Sequence, residues 1–283
     1  MRAAAVVLAG GRSVRMGSAK AGLPWHGSTL LRHVCGLAGR GVDGPVLVVR
    51  APGQALPALP GSVDVLDDPS EGLGPLQGIA VGLGALQDRA DVAFVCATDV
   101  PFLHPAFVRR VLRAWAESDP PWDVVLPVAR GHAQPLAAAY RPALAPLAAK
   151  LVAADRLRPA FLFDECSVLR LDDDALLSDT QLHAADPHLD SVVNLNGPDD
   201  YTAAHARPVP QITVECFGVL ATDHGRGTRA VRAATVAGAA EAAGVTWDKH
   251  VLAAVNGDQT GRDGDLALVA GDTVAFLSAA AGG

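Results

Sequence analysis

Short, mostly apolar runs alternate with amphipathic segments along the first part of the chain. The apolar runs are Ala3–Ala9, Pro45–Val49, Val63–Leu66, Val92–Ala97 and Val124–Val128. Runs of this length are typical of strands buried on both faces of a parallel sheet. The segments with helical spacing are Leu30–Leu37, Gly78–Leu86 and Pro105–Ala116. The alternation predicts an α/β fold, with a layered sheet that carries helices on both faces.

Polar or glycine residues follow three of the predicted strands directly. They are Gly10-Gly11, Asp68 and Asp99. Ligands of open α/β sheets bind beyond the carboxyl ends of the strands. The sequence therefore predicts that these residues share one binding edge.

The pattern changes near Ala203–Gln211, which contains two prolines and has no periodicity. Such a segment is typical of a linker. The predicted elements that follow are strands at Ile212–Phe217, Leu252–Asn256, Leu266–Val269 and Thr273–Leu277, and a helix at Thr235–Ala243. We therefore predict a first domain at 1–206, a linker at 207–211 and a small α+β domain at 212–283.

Composition narrows the class of protein. The chain has 283 residues, 50% of them hydrophobic and 19% charged, which is typical of a globular protein. Its net charge of −7 argues against a nucleic-acid partner. No apolar run reaches the roughly 18–20 residues of a membrane span, and the apolar start lacks the basic lead of a signal peptide. We expect a cytoplasmic protein with no membrane partner.

The four cysteines are far apart in the sequence and form no C-x-x-C pair. They are Cys35, Cys96, Cys166 and Cys216. This spacing indicates neither a zinc site nor a disulfide framework. Free thiols in a reducing compartment are the expected state.

The segment Leu8–Lys20, LAGGRSVRMGSAK, is the most informative one. Consecutive backbone N–H groups in a glycine turn make an anion-binding concavity, and Ser13 can add a hydrogen bond. The cations of the segment are Arg12, Arg15 and Lys20. A simple turn is the alternative, and the Walker pattern is absent. The combination of oriented donors with cations favours a phosphate-binding loop.

LAGGRSVRMGSAK resembles the N-terminal signature of GT-A-type nucleotidyltransferases, and most closely that of molybdenum cofactor guanylyltransferases. The further matching motifs, in chain order, are Asp67-Asp68, Glu71–Gly78, Cys96–Leu103 and Val193–Asp199. The resemblance covers about Arg2–Ala206 and implies a Rossmann-like, three-layer domain.

The resemblance also implies roles for individual residues. The nucleotide-binding positions are Leu8, Ala9, Gly10, Gly11, Lys20, Asp68, Gly74, Pro75 and Asp99. The catalytic positions are Lys20, Arg15 and Asp99, of which Asp99 would bind Mg²⁺. The positions on the pterin side are Asn194, Asn196, His132 and Arg156, with Arg158 beside them.

Ordinary structural roles remain open for several of these residues. Asp99 follows an apolar strand, where a carboxylate suits a Mg²⁺–phosphate site, but an aspartate before Pro101 also suits a turn. For Asp68 the alternative is a role in a turn, and for Arg15 it is an ion pair with a nearby acidic residue. Solvated surface positions are open for His132, Arg156 and Arg158.

Three residues depart from the family pattern. Arg50 stands where an asparagine is usual, and Gln77 and Thr98 replace the commoner alanine and cysteine. None of these changes removes a charge that the chemistry requires. These departures concern the identity of the base and not the type of reaction.

The implied reaction joins the terminal phosphate of molybdopterin to the α-phosphorus of GTP and releases pyrophosphate. A phosphate monoester is largely dianionic near neutral pH, so this nucleophile needs no general base. A cytidylyltransferase or another nucleotidyltransferase is one alternative. A non-catalytic scaffold that presents a carrier domain is another.

The last segment, 211–283, ends in Ala279-Ala280-Ala281-Gly282-Gly283. Together with Leu252–Asn256 and Ala270–Leu277, it resembles the β-grasp sulfur carriers, most closely the small subunit of molybdopterin synthase. The resemblance implies a ubiquitin-like fold with a thiocarboxylate on Gly283. It also implies the large subunit of molybdopterin synthase and an adenylating sulfur-transfer enzyme as partners.

The carrier resemblance has two departures. The arginine usual after the first strand is missing from Phe217–Thr222, and the prolines usual before the two glycines are absent. A frayed terminus of small residues is the alternative for the tail.

Overall fold

The computed structural model describes residues 1–10, 20–224 and 227–278. The chain divides into two compact units. The first comprises Met1–Leu23 and Leu30–Tyr201, and the second comprises Pro24–Thr29 and Thr202–Gly283. The predicted linker at 207–211 stays a prediction, since this division falls a few residues earlier.

The strands and helices are as follows. In chain order the strands are β1 (Ala3–Leu8), β2 (Pro24–Trp25), β3 (Ser28–Thr29), β4 (Val46–Arg50), β5 (Val63–Asp67), β6 (Val92–Ala97), β7 (Val124–Ala129), β8 (His132–Ala133), β9 (Ala137–Tyr140), β10 (Val168–Leu171), β11 (Gln211–Phe217), β12 (Thr228–Arg232), β13 (Val251–Val255), β14 (Asp258–Gln259) and β15 (Thr273–Ser278). The α-helices are α1 (Leu30–Gly39), α2 (Gly74–Gly84), α3 (Pro105–Ala116), α4 (Ala145–Ala153), α5 (Pro159–Phe163), α6 (Asp173–Leu177), α7 (Thr180–Ala185), α8 (Pro198–His205), α9 (Val219–His224) and α10 (Val236–Ala242). Short 3-10 helices span Lys20–Gly22, Pro142–Leu144 and Asp190–Val192.

The first unit is built on a mixed sheet with the order β10-β7-β9-β6-β1-β4-β5, and β8 pairs with β7. β1 is parallel to both β6 and β4, with Leu8 opposite Ala97 on one side and Val49 on the other. β9 lies antiparallel between β6 and β7. The carboxyl ends of β1, β4, β5 and β6 therefore lie at one edge of the sheet, which is where the sequence predicts a binding site.

Helices cover both faces of this sheet, as the alternating pattern predicts. Val6 and Leu8 of β1 pack in a core with residues of α2 and α4, such as Leu83. On the opposite face Phe94 of β6 meets Phe107 of α3 edge to face, with ring centroids 6.4 Å apart. Because alternate side chains of a strand point to opposite faces, every residue of β1 is buried.

Most predicted elements of the first unit are confirmed. The strand at Val92–Ala97 and the helix at Pro105–Ala116 have the predicted bounds. The helix predicted from Gly78 begins at Gly74 instead, because Pro75 suits a first helical turn. Strand β9 was not expected, since a run of alanines has no strand signal.

The second unit has a sheet with the order β12-β11-β15-β13-β14. β11 and β15 are parallel neighbours, and the other pairs are antiparallel. Its core joins residues of the sheet, such as Val214 and Phe276, to Val236 and Ala240 of α10. The hairpin of β2 and β3 belongs to this unit, where Trp25 lies edge-on to His205 at 5.7 Å.

One predicted strand of the second unit is wrong. The segment Leu266–Val269 forms no strand, and Ala267 makes only an isolated bridge to Thr235. Ala267 and Leu268 are nevertheless buried. The apolar signal therefore reports burial rather than strand pairing. Among the described helices, none is long and apolar enough to cross a membrane.

Candidate active site

A cavity of about 690 Å³ opens beyond the carboxyl ends of β1, β4 and β6. Its wall includes the predicted site residues Leu8, Gly10, Asp68, Gly74, Pro75, Asp99 and Asn194. Small-molecule sites have volumes of roughly 300–1,000 Å³. The edge of the sheet thus holds a cavity large enough for a nucleotide.

Lys20 and Asp99 form an ion pair beside this cavity, with 2.8 Å between Nζ and Oδ2. The Lys20 ammonium also donates to the Leu195 carbonyl, and the Leu195 N–H donates to the Asp99 carbonyl at 2.9 Å. The side chains are 20% and 22% exposed. Within the described part of the chain, Asp99 Oδ1 accepts no hydrogen bond. The pair is therefore held in one geometry and keeps a carboxylate oxygen available.

The end of β1 is fixed by hydrogen bonds from both sides. The backbone N–H and the hydroxyl of Thr98 both donate to the Leu8 carbonyl, each at 3.1 Å. The Ala9 N–H donates to the Val49 carbonyl at 2.8 Å. Among the described residues, the N–H of Gly10 has no acceptor, although Gly10 lines the cavity. Gly10 thus provides the first unused backbone donor at the strand end.

Arg50 and Asp67 form a second ion pair at this edge, with Nε 2.7 Å from Oδ1. The hydrogen bond from Arg50 lowers the pKa of the Asp67 carboxyl below its ordinary value. The turn role of Asp68 is observed, and its role in nucleotide binding stays a prediction. Its Oδ1 accepts from the Ser70 N–H at 3.1 Å in a turn, and the residue lines the cavity.

The N-terminus of α2 forms another part of the wall. Gly74 has φ +72°, and a Cβ there would lie 3.1 Å from the Leu157 carbonyl oxygen. The residue before it, Leu73, makes no side-chain capping bond. A Cβ on Gly82 would lie 2.5 Å from Val6 Cγ1. Gly82 allows α2 to approach β1 closely, and Gly74 allows its first turn to lie near Leu157. The first turn of α2 thus brings N–H groups without a side-chain cap to the cavity.

The residues predicted for the pterin side do not all come together. Asn194 lines the cavity. Asn196 is exposed, and its N–H donates to Asp200 Oδ2 at 2.8 Å. His132 lies exposed on β8. Arg156 pairs with Glu165 and lies over the Phe161 ring, 4.8 Å from its centroid, outside the cavity wall. Arg158 is exposed beside it.

Some predicted residues lie outside the described part of the chain. They are Gly11, Arg12, Ser13, Arg15 and Gly283. Their proposed roles stay predictions.

Two polar side chains of the site were missed by the sequence analysis. Thr98 was noted only as a departure from the family, although a hydroxyl at a strand end can bond a neighbouring strand. Gln54 donates to the Ala9 carbonyl and accepts from the Ala51 N–H, both at 3.0 Å. The Pro52-Gly53 turn before Gln54 was the available signal.

Two of the buried thiols are poor nucleophiles, because burial disfavours the thiolate form. Burial raises the pKa of Cys96, three residues before Asp99, well above its ordinary value. Burial likewise raises the pKa of Cys35 to about 12. A thiol of this kind stays protonated at neutral pH and is inert as a nucleophile. All four cysteines are free, as expected.

The first unit is thus an α/β domain with a mixed sheet, helices on both faces and a cavity beyond the parallel strand ends, where such domains bind their ligands. Residues 5–166 match the family model of the MobA-like NTP transferase domain. This match covers more than half of the chain, so the protein belongs to the family of MobA-like NTP transferases. It is therefore a nucleotidyltransferase.

Relatives and solved structures agree with this assignment. The chain is 42% identical over 175 residues to a probable molybdenum cofactor guanylyltransferase from Mycobacterium bovis, across 59% of this chain and 82% of that protein. It is similar in fold to molybdopterin-guanine dinucleotide biosynthesis protein A from Archaeoglobus fulgidus, with a TM-score of 0.57, 20% identity, and coverage of 71% and 96%. A 4-diphosphocytidyl-2C-methyl-D-erythritol synthase from Anaerococcus prevotii gives a TM-score of 0.50, 12% identity, and coverage of 72% and 97%. The likeness to the two solved structures concerns the fold alone.

Proposed function

We propose that the first unit transfers the guanylyl group of GTP to the terminal phosphate of molybdopterin, with release of pyrophosphate. The observation that carries this proposal is the Lys20–Asp99 pair beside a cavity of nucleotide size. The name of the 42% identical relative supports the choice of guanine and of the molybdenum cofactor.

The chain's own residues supply positioning and charge. Lys20 provides a cation beside the cavity, and the N–H of Gly10 and the first turn of α2 provide oriented donors. Such donors stabilise the charge that develops on a transferring phosphoryl group. The attacking phosphate has a second pKa of about 6, so no side chain has to remove a proton from it.

A divalent cation fits the donor set at Asp99. Its Oδ1 accepts no hydrogen bond from the described residues, and Mg²⁺ takes one or two carboxylates together with substrate phosphates. The described residues hold no cluster of three or more histidine, cysteine, aspartate or glutamate side chains suited to a metal. Asp99 would therefore hold Mg²⁺ with phosphates and water. Bound there, the ion would neutralise and align the triphosphate.

The base would lie against the wall formed by Asp68 and the Gly74-Pro75 turn. The backbone of Gly74 comes close to Leu157, so a side chain at this position of the wall would be crowded. Discrimination between guanine and cytosine depends on the hydrogen-bond donors and acceptors that such a wall offers. Arg50 borders the same wall in place of the usual asparagine, so base choice needs a direct test.

The test is pyrophosphate release by the purified full chain with molybdopterin, Mg²⁺, and either GTP or CTP. We expect kcat/KM for GTP to exceed that for CTP by at least about a hundredfold. A preference for CTP would favour the cytidylyl alternative, and equal use of both nucleotides would contradict the proposed choice of guanine. Nucleotide binding without pyrophosphate release would favour the scaffold alternative and contradict the proposal.

We further propose that the second unit is a ubiquitin-like β-grasp domain that acts as a sulfur carrier. In its sheet, β11 and β15 are parallel neighbours, with β12 beyond β11 and β13 beyond β15. The first and the last described strands within 202–283 thus lie side by side. Helix α10 supplies Val236, Ala239 and Ala240 to the core, and Leu220 of α9 packs against it. This order supports the proposal.

The carrier proposal places a thiocarboxylate on Gly283. Its partners would be the large subunit of molybdopterin synthase and an adenylating sulfur-transfer enzyme. Intact mass after co-expression with such an enzyme is the test. An increase equal to the replacement of one oxygen by sulfur is expected, and an unmodified mass under working conditions would contradict it.

A further inference from the structure

Gln54 bridges two backbone segments where the strands of the nucleotide site separate. Its Nε2 donates to the Ala9 carbonyl, and its Oε1 accepts from the Ala51 N–H, both at 3.0 Å. The residue is half-buried. A single side-chain amide thus joins the end of β1 to the segment that follows β4.

The position of this amide follows from the parallel ladder between β1 and β4. The last bond of the pairing runs from the Ala9 N–H to the Val49 carbonyl. In a continuing parallel ladder, the next bond would run from the Ala51 N–H to the Ala9 carbonyl. These are the two groups that Gln54 bonds instead. Its amide is inserted between the strands as a spacer and satisfies both of them.

The main chain holds Gln54 in place for this role. The segment Ala51-Pro52-Gly53-Gln54 forms a turn in which the Gln54 N–H donates to the Ala51 carbonyl at 3.0 Å. Gly53 has φ +69°, and proline precedes it, as a type II turn requires. Arg50 also donates to the Gln54 carbonyl at 3.2 Å. The side-chain amide is therefore preorganised before any ligand arrives.

The spacer acts on the wall of the cavity. Gly10 and Ala51 both line it, and a Cβ on Gly10 would lie only 3.3 Å from the Ala51 nitrogen. The backbone of Gly10 directly follows the Ala9 carbonyl that Gln54 bonds. The distance between these two wall segments is thus set by the width of one amide group.

We propose that Gln54 is a positioning residue that sets the width of the nucleotide site through the Ala9–Gly10 segment. This inference rests on the proposed function of the cavity. Loss of the spacer leaves the Ala9 carbonyl and the Ala51 N–H unpaired or lets the strands close on each other. Either change displaces Gly10, whose N–H is a proposed phosphate donor.

The first test compares GTP binding by the wild type, Gln54→Ala and the control Gln87→Ala, using calorimetry on the full chain. Gln87 is exposed and lies outside the cavity wall. We expect Gln54→Ala to raise Kd for GTP about tenfold and KM in parallel, with kcat at saturation within about threefold. Gln87→Ala should match the wild type. An unchanged Kd in Gln54→Ala, with or without a lower Tm, would overturn the inference.

Gln54→Glu gives a second, near-isosteric test. Its ionised carboxylate can accept from Ala51 but cannot donate to the Ala9 carbonyl. At about pH 5 a growing fraction is protonated and can donate again. At each pH, the affinity of Gln54→Glu for GTP is divided by that of the wild type. As the pH falls, this ratio should rise above the ratio measured for Gln54→Ala. If protonation only relieves repulsion between the new carboxylate and the anionic nucleotide, the affinity would recover no further than the Gln54→Ala level. That limited recovery, or no recovery, would overturn the inference.

The two proposals fail in different ways. If the wild type binds no GTP, the proposed function of the cavity fails. If the wild type binds GTP and both Gln54 variants bind it equally well, only the role of Gln54 fails. Should Gln54→Ala not fold, Gln54→Leu, which also lacks the amide, supplies the reference level for the pH series on Gln54→Glu.

Discussion

Two ion pairs border the same cavity, and their surroundings differ more than their geometry. Lys20 and Asp99 are 2.8 Å apart, and Arg50 and Asp67 are 2.7 Å apart. The first pair is 20% and 22% exposed, whereas the second is 32% and 59% exposed. Asp99 follows the buried strand β6, while Asp67 ends the sheet-edge strand β5.

The two pairs have nearly the same charge separation but differ in exposure, and this difference guides the roles that we propose for them. Water and salt screen an exposed pair, which contributes about 0–1 kcal/mol. A less exposed charge beside a cavity acts more strongly on a ligand. The Leu195 backbone also fixes the first pair on both sides. We therefore assign the chemistry to Lys20 and Asp99, and support of the wall to Arg50 and Asp67.

The largest effect is expected from removing either member of the Lys20–Asp99 pair. Lys20→Ala and Asp99→Asn should each lower kcat by about 10²–10³-fold, because each removes charge stabilisation from the reacting phosphates. Steady-state pyrophosphate release measures this loss.

Lys150→Ala is the matched control for lysine removal. Lys150 lies exposed on α4, outside the cavity wall, so its loss should leave kcat unchanged. Undiminished turnover in Lys20→Ala or Asp99→Asn would contradict the proposal that this pair, and not Arg50–Asp67, acts on the reacting phosphates.

A smaller effect is expected from changing the packing of α2 against β1. Gly82→Ala should destabilise the fold by about 1–3 kcal/mol, because its new Cβ would overlap Val6 of β1. Gly84→Ala in the same helix has its nearest contact at 4.0 Å and should be neutral or slightly stabilising. Urea unfolding of both variants measures the difference, and equal stabilities would contradict the close packing of α2 on β1.

Arg50→Ala should have a weaker effect than loss of Lys20. We expect KM for GTP to rise by about three- to tenfold with little change in kcat, because the exposed pair supports the wall. Asp67→Asn should change KM less, since its amide oxygen still accepts from Arg50. A hundredfold loss of kcat in Arg50→Ala would place Arg50 among the groups that touch the reacting phosphates.

The smallest effect concerns the titration of Asp67. Its pKa should lie below the ordinary value of about 3.9 in the wild type and rise towards it in Arg50→Ala. Because the folded pKa is the lower one, any stability from the pair is present at neutral pH and is lost as pH falls through that pKa. Carboxyl NMR titration measures both values. An unshifted wild-type pKa would show that the pair is absent in solution.

The sequence predicts central strands of the first unit, such as β1 and β6, because they are apolar and buried along almost their whole length. Val92–Ala97 is apolar throughout and has its predicted bounds. The same signal failed at Leu266–Val269, where apolar residues are buried without strand pairing. Apolar runs therefore report burial first, and pairing only where a partner strand exists.

The site is only partly predictable for a related reason. Asp68 and Asp99 could be found because parallel strands end at one edge. The contact between Lys20 and the Leu195 carbonyl joins residues 175 positions apart, and no local pattern announces it. Gln54 lies in a recognisable turn, but the two backbone groups that it bonds are defined only by the tertiary fold.

The central claim is that the cavity beyond β1, β4 and β6 binds GTP with its phosphates at Lys20. The most direct measurement is a crystal structure of the full chain with a non-hydrolysable GTP analogue and Mg²⁺. We expect the triphosphate within hydrogen-bond distance of Lys20 Nζ and the Gly10 N–H, with the cation on Asp99. A nucleotide bound elsewhere, or phosphates that touch neither Lys20 nor Gly10, would contradict it.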